Sequence, residues 1–417
     1  MEKLEISDFE EVLKNILPAD KKYVRNEITR LTSAGENYGS VMLAIKIIYE
    51  NVENEEKETL HAVAKLPPLT DFVKLFQNTS ATFRHELGFY QTILPSLRQF
   101  QQTQGSSKSL NCFPQFYGGR LNPDPTAHSV DDSAIILLEN LKCKGFTLID
   151  RTIGFDLDSS KLILTKLAEF HGAALALKTT QDEFFTNNLT KYFDEFHLYR
   201  IEGEIDFMTS DNMINATIKM IEEDELCSLH LNEIKAAITT CIANIKLPKN
   251  SHKFSQDTFA TVIHGDVWTN NIMVKTHMNR IVDVKFVDLQ LVQHASVTRD
   301  VLFFLFTSVQ GTILKQHLDD LIMFYYQNLT KILEDLHCDT TPYGFDVFKN
   351  EMKNVASQIA YFQIMPTLHC VFASENNIWE VEKLNKERLF DQIQTSQLCK
   401  NRSCLITREF LQRGWFK

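Results

Sequence analysis

The amino-acid sequence predicts an α+β protein in which a small β-rich part is followed by a larger, mainly helical part. Short β-branched or aliphatic runs dominate the first 140 residues, and apolar residues recur at helical spacing from about residue 145 onward. A strand-rich island interrupts the helical part at residues 259–288. With 417 residues, the chain is long enough for two or three domains or for one enzyme built of two lobes.

The composition is that of a folded protein with large cores. Hydrophobic residues make up 44% of the chain, and 30 Phe and 11 Tyr exclude wholesale disorder. The net charge of −11 argues against nucleic acid as the main partner, because phosphate binding requires a basic face. The eight cysteines include no C-x-x-C pair, so we expect reduced thiols rather than a zinc or redox motif.

Targeting and membrane signals are weak in this sequence. Residues 1–15 lack a basic segment followed by an apolar one, so we expect no secretory signal and a cytoplasmic location. The longest uncharged stretch, residues 354–374, is long enough to span a membrane. Polar side chains and Pro366 interrupt it, which favours a buried helix that breaks at the proline. We therefore expect no membrane span.

Local patterns predict the elements of the N-terminal part. Ser7 and Glu10 form a capping box, which predicts a helix that ends near Pro18. Strands are predicted at residues 26–33, 41–49, 58–66 and 134–139. Residues 80–94 are predicted as a helix that ends at Pro95, and the Gln/Ser-rich residues 99–111 as a loop.

Helical periodicity dominates the second part of the chain. Apolar residues along 159–178 lie on one face of a predicted helix, and further helices are expected up to about residue 247. Helices dominate again from Val297 to the C-terminus. The β island between these two regions contains the strongest chemical motif of the sequence.

The motif in the island combines two acids with one amide. His264-Gly265-Asp266 is followed five residues later by Asn271, and Asp288 comes 22 residues after Asp266. This spacing matches the catalytic loop and the metal-binding Asp of phosphotransferases. His264 is expected to brace the loop rather than to transfer protons.

A hairpin between the two halves of the motif would bring its polar groups together. Residues 272–275 and 281–287 read as strands, and a turn at Asn279-Arg280 would place Asn271 opposite Asp288. Both residues then lie at the open end of the hairpin, on the side of Asp266. Three oxygen donors at one place suit Mg²⁺ that also binds phosphate oxygens.

A glycine-containing segment between the first two predicted strands is a candidate phosphate-binding loop. Gly35 and Gly39 permit a tight turn, and the backbone N–H groups around Asn37 and Tyr38 are suited to binding phosphate. The segment is neither G-x-G-x-x-G nor a Walker loop. A plain hairpin loop is therefore the alternative interpretation.

Two lysines compete for contact with the phosphates. Lys46 lies in LAIK, which is closer to the protein-kinase signature, whereas Lys65 lies in AVAK. Lys46 follows Gly39 by only 7 residues, so it belongs to the strand that leaves the loop. Lys65 follows by 26 residues and falls on the third strand, where the phosphate-binding lysine is expected. Glu86, in the next helix, is its predicted ion-pair partner.

Nine short segments, taken in their order along the sequence, resemble the ecdysteroid kinase-like family of arthropods, which is also called CHK kinase-like. The relatives of this family are choline and aminoglycoside kinases. The resemblance covers nearly the whole chain, and HGD-x-W-x-x-N with DLQ is its most specific part. The segments that carry it are SAGENYGS, AVAKLP, FRHELGFY, IILLENL, LAEFHGAAL, HGDVWTNNIM, FVDLQ, TRDVLFFLF and QIAYFQIMPTLHCVF.

The resemblance implies a bilobal protein-kinase-like fold and ATP-dependent phosphorylation with Mg²⁺. Residues 1–140 would form the nucleotide-binding lobe and residues 141–417 the catalytic and substrate-binding lobe. Asp266 matches the catalytic base, Asn271 and Asp288 match the metal ligands, and Lys65 matches the phosphate-contacting lysine. Glu139 to Leu141 match the hinge that meets adenine, although Asn140 stands where an Asp often follows and Leu289 replaces an aromatic residue.

The implied acceptor is a hydroxyl group on a small apolar molecule, such as an ecdysteroid or a foreign compound that is detoxified. Trp268 is a candidate for the pocket wall. A cluster of aromatic residues in the helical part either lines the acceptor pocket or forms the core face of a helix. These residues are Phe184, Phe185, Tyr192, Phe193, Phe196 and Tyr199. Two alternatives stay open: a kinase for choline or a sugar, and a binding protein with a kinase fold but no catalysis.

Overall fold

A computed structural model describes most of the chain. The described residues are 6, 8–14, 16–31, 40–106, 109–124, 126–127, 129–193, 200–201, 205–206, 210–246, 258–372 and 396–416. The predicted phosphate-loop residues Gly35, Asn37, Tyr38 and Gly39 lie outside these ranges, as do Phe196 and Tyr199 of the aromatic set.

A five-stranded antiparallel sheet forms the N-terminal part. Its spatial order is β1-β2-β3-β5-β4, and its strands are β1 Lys21–Arg30, β2 Val41–Asn51, β3 Lys57–Leu66, β4 Phe116–Arg120 and β5 Ile135–Glu139. Alternate residues Leu43 and Ile45 of β2 are buried against helix α1 (Phe9–Lys14), as the period of a half-buried strand requires. The predicted strands are confirmed, and β1 begins five residues earlier than expected.

Three helices follow β3, and one prediction about them is wrong. They are α2 Asp71–Phe76, α3 Thr79–Gly88 and α4 Leu94–Thr103. A π turn at Phe89–Ile93 connects α3 to α4, so the helix does not end at Pro95. Pro95 lies in the first turn of α4, where a missing N–H costs little. The loop predicted at 99–111 therefore begins only after Thr103.

The β island consists of two small sheets. Strand β9 (Ala260–Ile263) pairs with β12 (Gln293–Ser296), and β10 (Ile272–His277) forms a hairpin with β11 (Arg280–Phe286) that β6 (Phe146–Thr147) extends. A further two-stranded sheet pairs β7 (Arg200–Ile201) with β8 (Ile205–Asp206).

The predicted hairpin is present, but its register differs from the prediction by one residue. Ile272 pairs with Phe286, and the turn is made by Met278 and Asn279, whose φ angles are 47° and 58°. Two left-handed residues in a two-residue turn match the twist of the strands. An irregularity between Lys275 and Thr276 shifts the pairing near the turn, while both ends of the polar motif remain at the open end.

The remainder of the described chain is mainly helical. Its helices are α5 Leu157–Thr180, α6 Asp182–Asn188, α7 Asp211–Lys219, α8 Glu225–Leu229, α9 Leu231–Lys246, α10 Val297–Ser308, α11 Gly311–Asp335, α12 Phe345–Val355, α13 Tyr361–Val371 and α14 Gln397–Gln412. Among the described residues, no helix combines the length and the apolar character needed to cross a membrane.

The helix expected to break at Pro366 does not do so there. Pro366 lies inside α13, and a π turn at Ala356–Ala360 joins α12 to α13. The buried neighbours Ile364, Met365 and Leu368 hold α13 in the core, which offsets the hydrogen bond that proline cannot donate. A β-sheet part followed by a mainly helical part confirms the predicted α+β fold with a small β-rich N-terminal part and a large helical part.

Candidate active site

Lys65 links the N-terminal sheet to the β island. Its Nζ lies 2.5 Å from Glu86 Oε2 on α3 and 2.5 Å from Asp288 Oδ1 after β11. Its side chain is only 4% exposed. Burial alone would lower the pKa of Lys65, but the charges of Asp288 and Glu86 outweigh burial and raise it. The lysine is therefore charged and bridges two carboxylates from distant parts of the sequence.

The segment after β11 is held in an unusual backbone conformation. Asp288 has φ 64° and ψ 65°, a left-handed geometry that Asp adopts more readily than most residues. Leu289 N donates to Glu86 Oε1 at 3.3 Å, and Gln290 Nε2 donates to Asp288 Oδ2 at 3.3 Å. Glu86 thus contacts both Lys65 and the backbone that presents Asp288.

Asp266 and Asn271 are joined within the loop between β9 and β10. Asn271 Nδ2 donates to the Asp266 backbone carbonyl at 2.9 Å and to Asp266 Oδ2 at 2.8 Å. Both partners are acceptors, so the amide nitrogen must face them, and Oδ1 points away. Val287 N donates to the Asn271 carbonyl at 3.0 Å, which extends the hairpin pairing to the loop.

The environment of Asp266 changes its acidity. Burial and the nearby negative charge of Asp288 raise the pKa of Asp266 to about 7, against the lowering effect of hydrogen bonds from Asn271 and Trp268. A group whose pKa lies near neutrality is well suited to accept a proton during a reaction and to release it afterwards.

The residues present fit a divalent cation. The carboxylates of Asp266 and Asp288 and the amide oxygen Oδ1 of Asn271 are hard oxygen donors of the kind that Mg²⁺ prefers. Lys65 contacts Glu86 and Asp288, and the Asp266 carboxyl group lies close enough to Asp288 for the two charges to interact, so this site contains three carboxyl groups and one lysine. Within the described ranges, no group of three or more His, Cys, Asp or Glu residues is arranged to hold a metal by itself. Phosphate or water oxygens would complete the shell.

Asp300, at the start of α10, anchors the loop between β9 and β10. Its carboxylate accepts His264 N at 2.8 Å, Gly265 N at 2.9 Å and His171 Nε2 at 3.1 Å. Burial would raise the pKa of Asp300, but these contacts outweigh burial and lower it, so the carboxylate stays charged. The sequence analysis missed Asp300 and His171, although a lone Asp and a lone His inside apolar helices were signals.

The contacts of His264 are those of a loop brace. Its Nε2 donates to the Val287 carbonyl at 3.0 Å, and its Nδ1 accepts the Asp266 N–H at 3.3 Å. One ring nitrogen thus donates and the other accepts, which defines a neutral imidazole. Burial lowers the pKa of His264, in agreement with that state.

Gly265 is the residue type that this loop requires. Its φ is 83°, and a Cβ built there would lie 2.2 Å from the Leu291 carbonyl oxygen. That oxygen belongs to backbone, so no side-chain rotation can relieve the overlap.

The predicted hinge residues lie where β5 ends. Gln115 N donates to Glu139 Oε2 at 3.2 Å, so the Glu139 side chain contacts the segment before β4. Asn140 Oδ1 accepts the Lys142 N–H at 3.1 Å and thereby starts a short 3₁₀ helix. Leu141 is buried. The contact of Glu139 to Leu141 with adenine remains a prediction.

The aromatic candidates are mostly packed in the core. Trp268 is 6% exposed and lies in the loop, with its backbone N–H donating to the Asp266 carbonyl at 3.1 Å. Phe185 and Phe193 are buried, Tyr192 OH lies 2.9 Å from Thr92 Oγ1, and Phe184 is 40% exposed. Burial of Phe185 and Phe193 favours the helical core face over the pocket for these two residues.

The two candidate lysines occupy different environments, which leads to a prediction. Lys46 is partly exposed on β2 and pairs with Glu27 at 3.4 Å. We expect Lys65→Met to reduce phosphoryl transfer severely, because it leaves two carboxylates without their cation, and Lys46→Met to leave transfer largely intact. Steady-state Mg-ATP turnover of the two variants checks this. Greater damage from the Lys46 change would contradict the assignment.

Comparison with known proteins identifies the family. No curated protein gives a significant sequence match to the chain. The GDP complex of wild-type aminoglycoside 2′-phosphotransferase-IIIa is 11% identical, with a TM-score of 0.41 over 95% of this chain and 97% of that one. A choline/ethanolamine kinase family protein from Mesorhizobium loti is 9% identical, with a TM-score of 0.34 over 91% and 92%. The sequence profile of the ecdysteroid kinase-like family matches residues 34–338, and the chain belongs to that family.

Proposed function

We propose that this protein transfers the γ-phosphoryl group of ATP to a hydroxyl group on a small apolar molecule, of the ecdysteroid or foreign-compound type. Family membership supports a small-molecule phosphotransferase. The observation that carries the proposal is the contact of Lys65 with both Glu86 and Asp288, next to the Asp266–Asn271 pair. An ion-paired lysine, a base and two oxygen ligands are the parts that phosphoryl transfer needs.

The proposed mechanism assigns one task to each residue. Lys65, held by Glu86, contacts the ATP phosphates and orients them. Asn271 Oδ1 and Asp288 would hold Mg²⁺, and the bound ion would neutralise phosphate charge. Asp266 accepts the proton of the acceptor hydroxyl while that oxygen bonds to phosphorus and the bond to ADP breaks. Catalysis then rests mainly on positioning and charge stabilisation.

The two parts of the chain would divide the work. Residues 1–140 would bind the nucleotide, with Gly35, Asn37, Tyr38 and Gly39 as the candidate phosphate-binding residues and Glu139 to Leu141 as the candidates for adenine contact. Residues 141–417 supply Asp266 and the acceptor pocket, and Trp268 forms part of its wall. We place the reaction in the cytoplasm and expect neither nucleic acid nor a membrane span to take part.

A screen of acceptors tests this function. Purified protein with Mg-ATP is incubated with hydroxylated sterols, plant phenolics, choline and an aminoglycoside, and phosphate esters are detected by mass spectrometry. We expect esters of the apolar acceptors, formed at least about 100-fold more slowly by Asp266→Asn. If only choline or the aminoglycoside is phosphorylated, the proposed apolar acceptor class is wrong and a polar acceptor takes its place. Failure to bind or turn over Mg-ATP would indicate a binding protein without catalysis.

A further inference from the structure

Helix α13 reaches the catalytic loop through one side chain. Gln363 Nε2 donates to the Gly265 carbonyl at 3.1 Å, and Gln363 Oε1 accepts Arg299 Nε at 2.7 Å. Gly265 directly precedes Asp266. Gln363 lies beyond residue 338, where the family match ends. A residue outside the matched segment thus contacts the backbone that presents the proposed base.

Arg299 orients this glutamine. A second hydrogen bond runs from an Nη atom of Arg299 to Gln293 Oε1 at 2.8 Å, so Arg299 donates to the neutral amide oxygens of two glutamines. Burial lowers the pKa of Arg299 to about 10, which still leaves the guanidinium charged at neutral pH. A charged donor on Oε1 polarises the Gln363 amide and strengthens its donation to Gly265.

The Gly265–Asp266 peptide is anchored at both of its polar atoms. Gln363 binds the Gly265 carbonyl, and His264 Nδ1 accepts the Asp266 N–H of the same peptide at 3.3 Å. The peptide group is planar, so two anchors on opposite sides set its orientation. That plane determines where the Asp266 side chain begins, and Asn271 Nδ2 then meets its Oδ2.

Gln293 closes the other side of the glycine. Its Nε2 donates to the Leu291 carbonyl at 3.3 Å, and both groups would collide with a Cβ at position 265. Gly265 therefore lies between the Leu291–Gln293 segment and Gln363. This packing leaves the loop little freedom while Gln363 is in place.

We propose that Gln363 is a positioning residue for Asp266, oriented by Arg299 and Gln293, and that α13 is therefore part of the catalytic machinery. The inference rests on the proposed function, in which Asp266 is the base. Gln363 and Asp300 bind different atoms of the loop. Asp300 accepts the backbone N–H groups of His264 and Gly265, whereas Gln363 donates to the Gly265 carbonyl.

The test compares Gln363→Met with Gln358→Met. Gln358 lies in the π turn before α13, and its backbone carbonyl rather than its side chain accepts from Asn244. We expect Gln363→Met to lower kcat for Mg-ATP hydrolysis or transfer by about 10- to 100-fold, as misplacement of a catalytic group does. Mg-ATP affinity by calorimetry should stay within about twofold of wild type, because Lys65 and Asp288 are untouched. Equal kcat values for both variants would overturn the inference.

A second variant separates the donor role from packing. Gln363→Glu keeps an acceptor for Arg299 but loses the N–H that binds the Gly265 carbonyl, so it should lose kcat as well. Full activity of Gln363→Glu would overturn the inference. If Gln363→Met fails to fold, Gln363→Glu carries the comparison.

A readout independent of turnover distinguishes this inference from the proposed function. The chain has three tryptophans, and Trp379→Phe with Trp415→Phe leaves Trp268 as the only one. In that background, Gln363→Met should make the Trp268 ring more accessible to acrylamide quenching. The Trp268 backbone N–H donates to the Asp266 carbonyl, so displacement of Asp266 should also displace Trp268. Increased quenching supports the positioning role even if the protein turns over no ATP, and unchanged quenching overturns it.

Discussion

Asp266→Asn is expected to fold and to bind Mg-ATP but to transfer phosphate about 10²–10⁴-fold more slowly than wild type. The substitution keeps an oxygen that can accept from Asn271 Nδ2, so the loop contact should survive. It removes the carboxylate that takes the hydroxyl proton. At 1.36 kcal/mol per tenfold, the loss corresponds to roughly 3–5 kcal/mol of barrier.

Single-turnover transfer measured beside nucleotide affinity decides this prediction. Asp283→Asn is the matched control, because Asp283 lies on β11 toward the turn end of the same hairpin and its carboxylate accepts the Val284 N–H. The control should behave as wild type in both measurements. A decrease of less than about tenfold for Asp266→Asn, below the usual effect of a positioned base, would show that the loop only supports the metal site.

Asp288→Ala is expected to abolish metal-dependent nucleotide binding. Asp288 is one of very few protein oxygens available to Mg²⁺ in this site, and its loss also removes one of the two carboxylates on Lys65. Lys65 retains Glu86 at 2.5 Å, so the buried cation stays paired and the variant should fold. We expect Mg-ATP to bind at least about 100-fold more weakly, equivalent to roughly 2.7 kcal/mol.

Calorimetric titration of Mg-ATP into wild type, Asp288→Ala and Asp283→Ala measures this effect. Wild type titrated with ATP and excess chelator should resemble Asp288→Ala, since both lack the protein–metal contact. Equal Mg-ATP affinities for wild type and Asp288→Ala would exclude Asp288 as a metal ligand. An affinity that falls equally in Asp283→Ala would indicate a general loss of the hairpin instead.

Much of the fold follows from local sequence patterns. Alternating apolar residues locate β2 and β3, and the apolar face of residues 159–178 locates α5. The polar residues between two apolar runs locate the β10–β11 hairpin, although the turn lies one residue earlier than predicted. The spacing of apolar residues distinguishes a helix from a strand but does not mark the residue at which either one ends. Element types were therefore predicted more reliably than element ends.

Breaks at proline were the least reliable part of the sequence analysis. Pro95 and Pro366 both lie within helices, and each of those helices follows a π turn. A widened turn alters the hydrogen-bond pattern nearby, and buried neighbours hold the helix in place. Neither effect is visible in the residues next to a proline.

The spacing of Asp266, Asn271 and Asp288 was sufficient to nominate all three, because loop and hairpin lengths are local properties. Counting strands selected Lys65 over Lys46, and the phosphotransferase pattern placed its ion-pair partner Glu86 on the next helix. The structure shows that ion pair. Only the tertiary structure showed that Lys65 also contacts Asp288, 223 residues away. It also showed that Asp300 and Gln363 hold the loop from α10 and α13. These contacts join elements that are far apart in the chain, and no local pattern records which side chains meet when helices and sheets pack together.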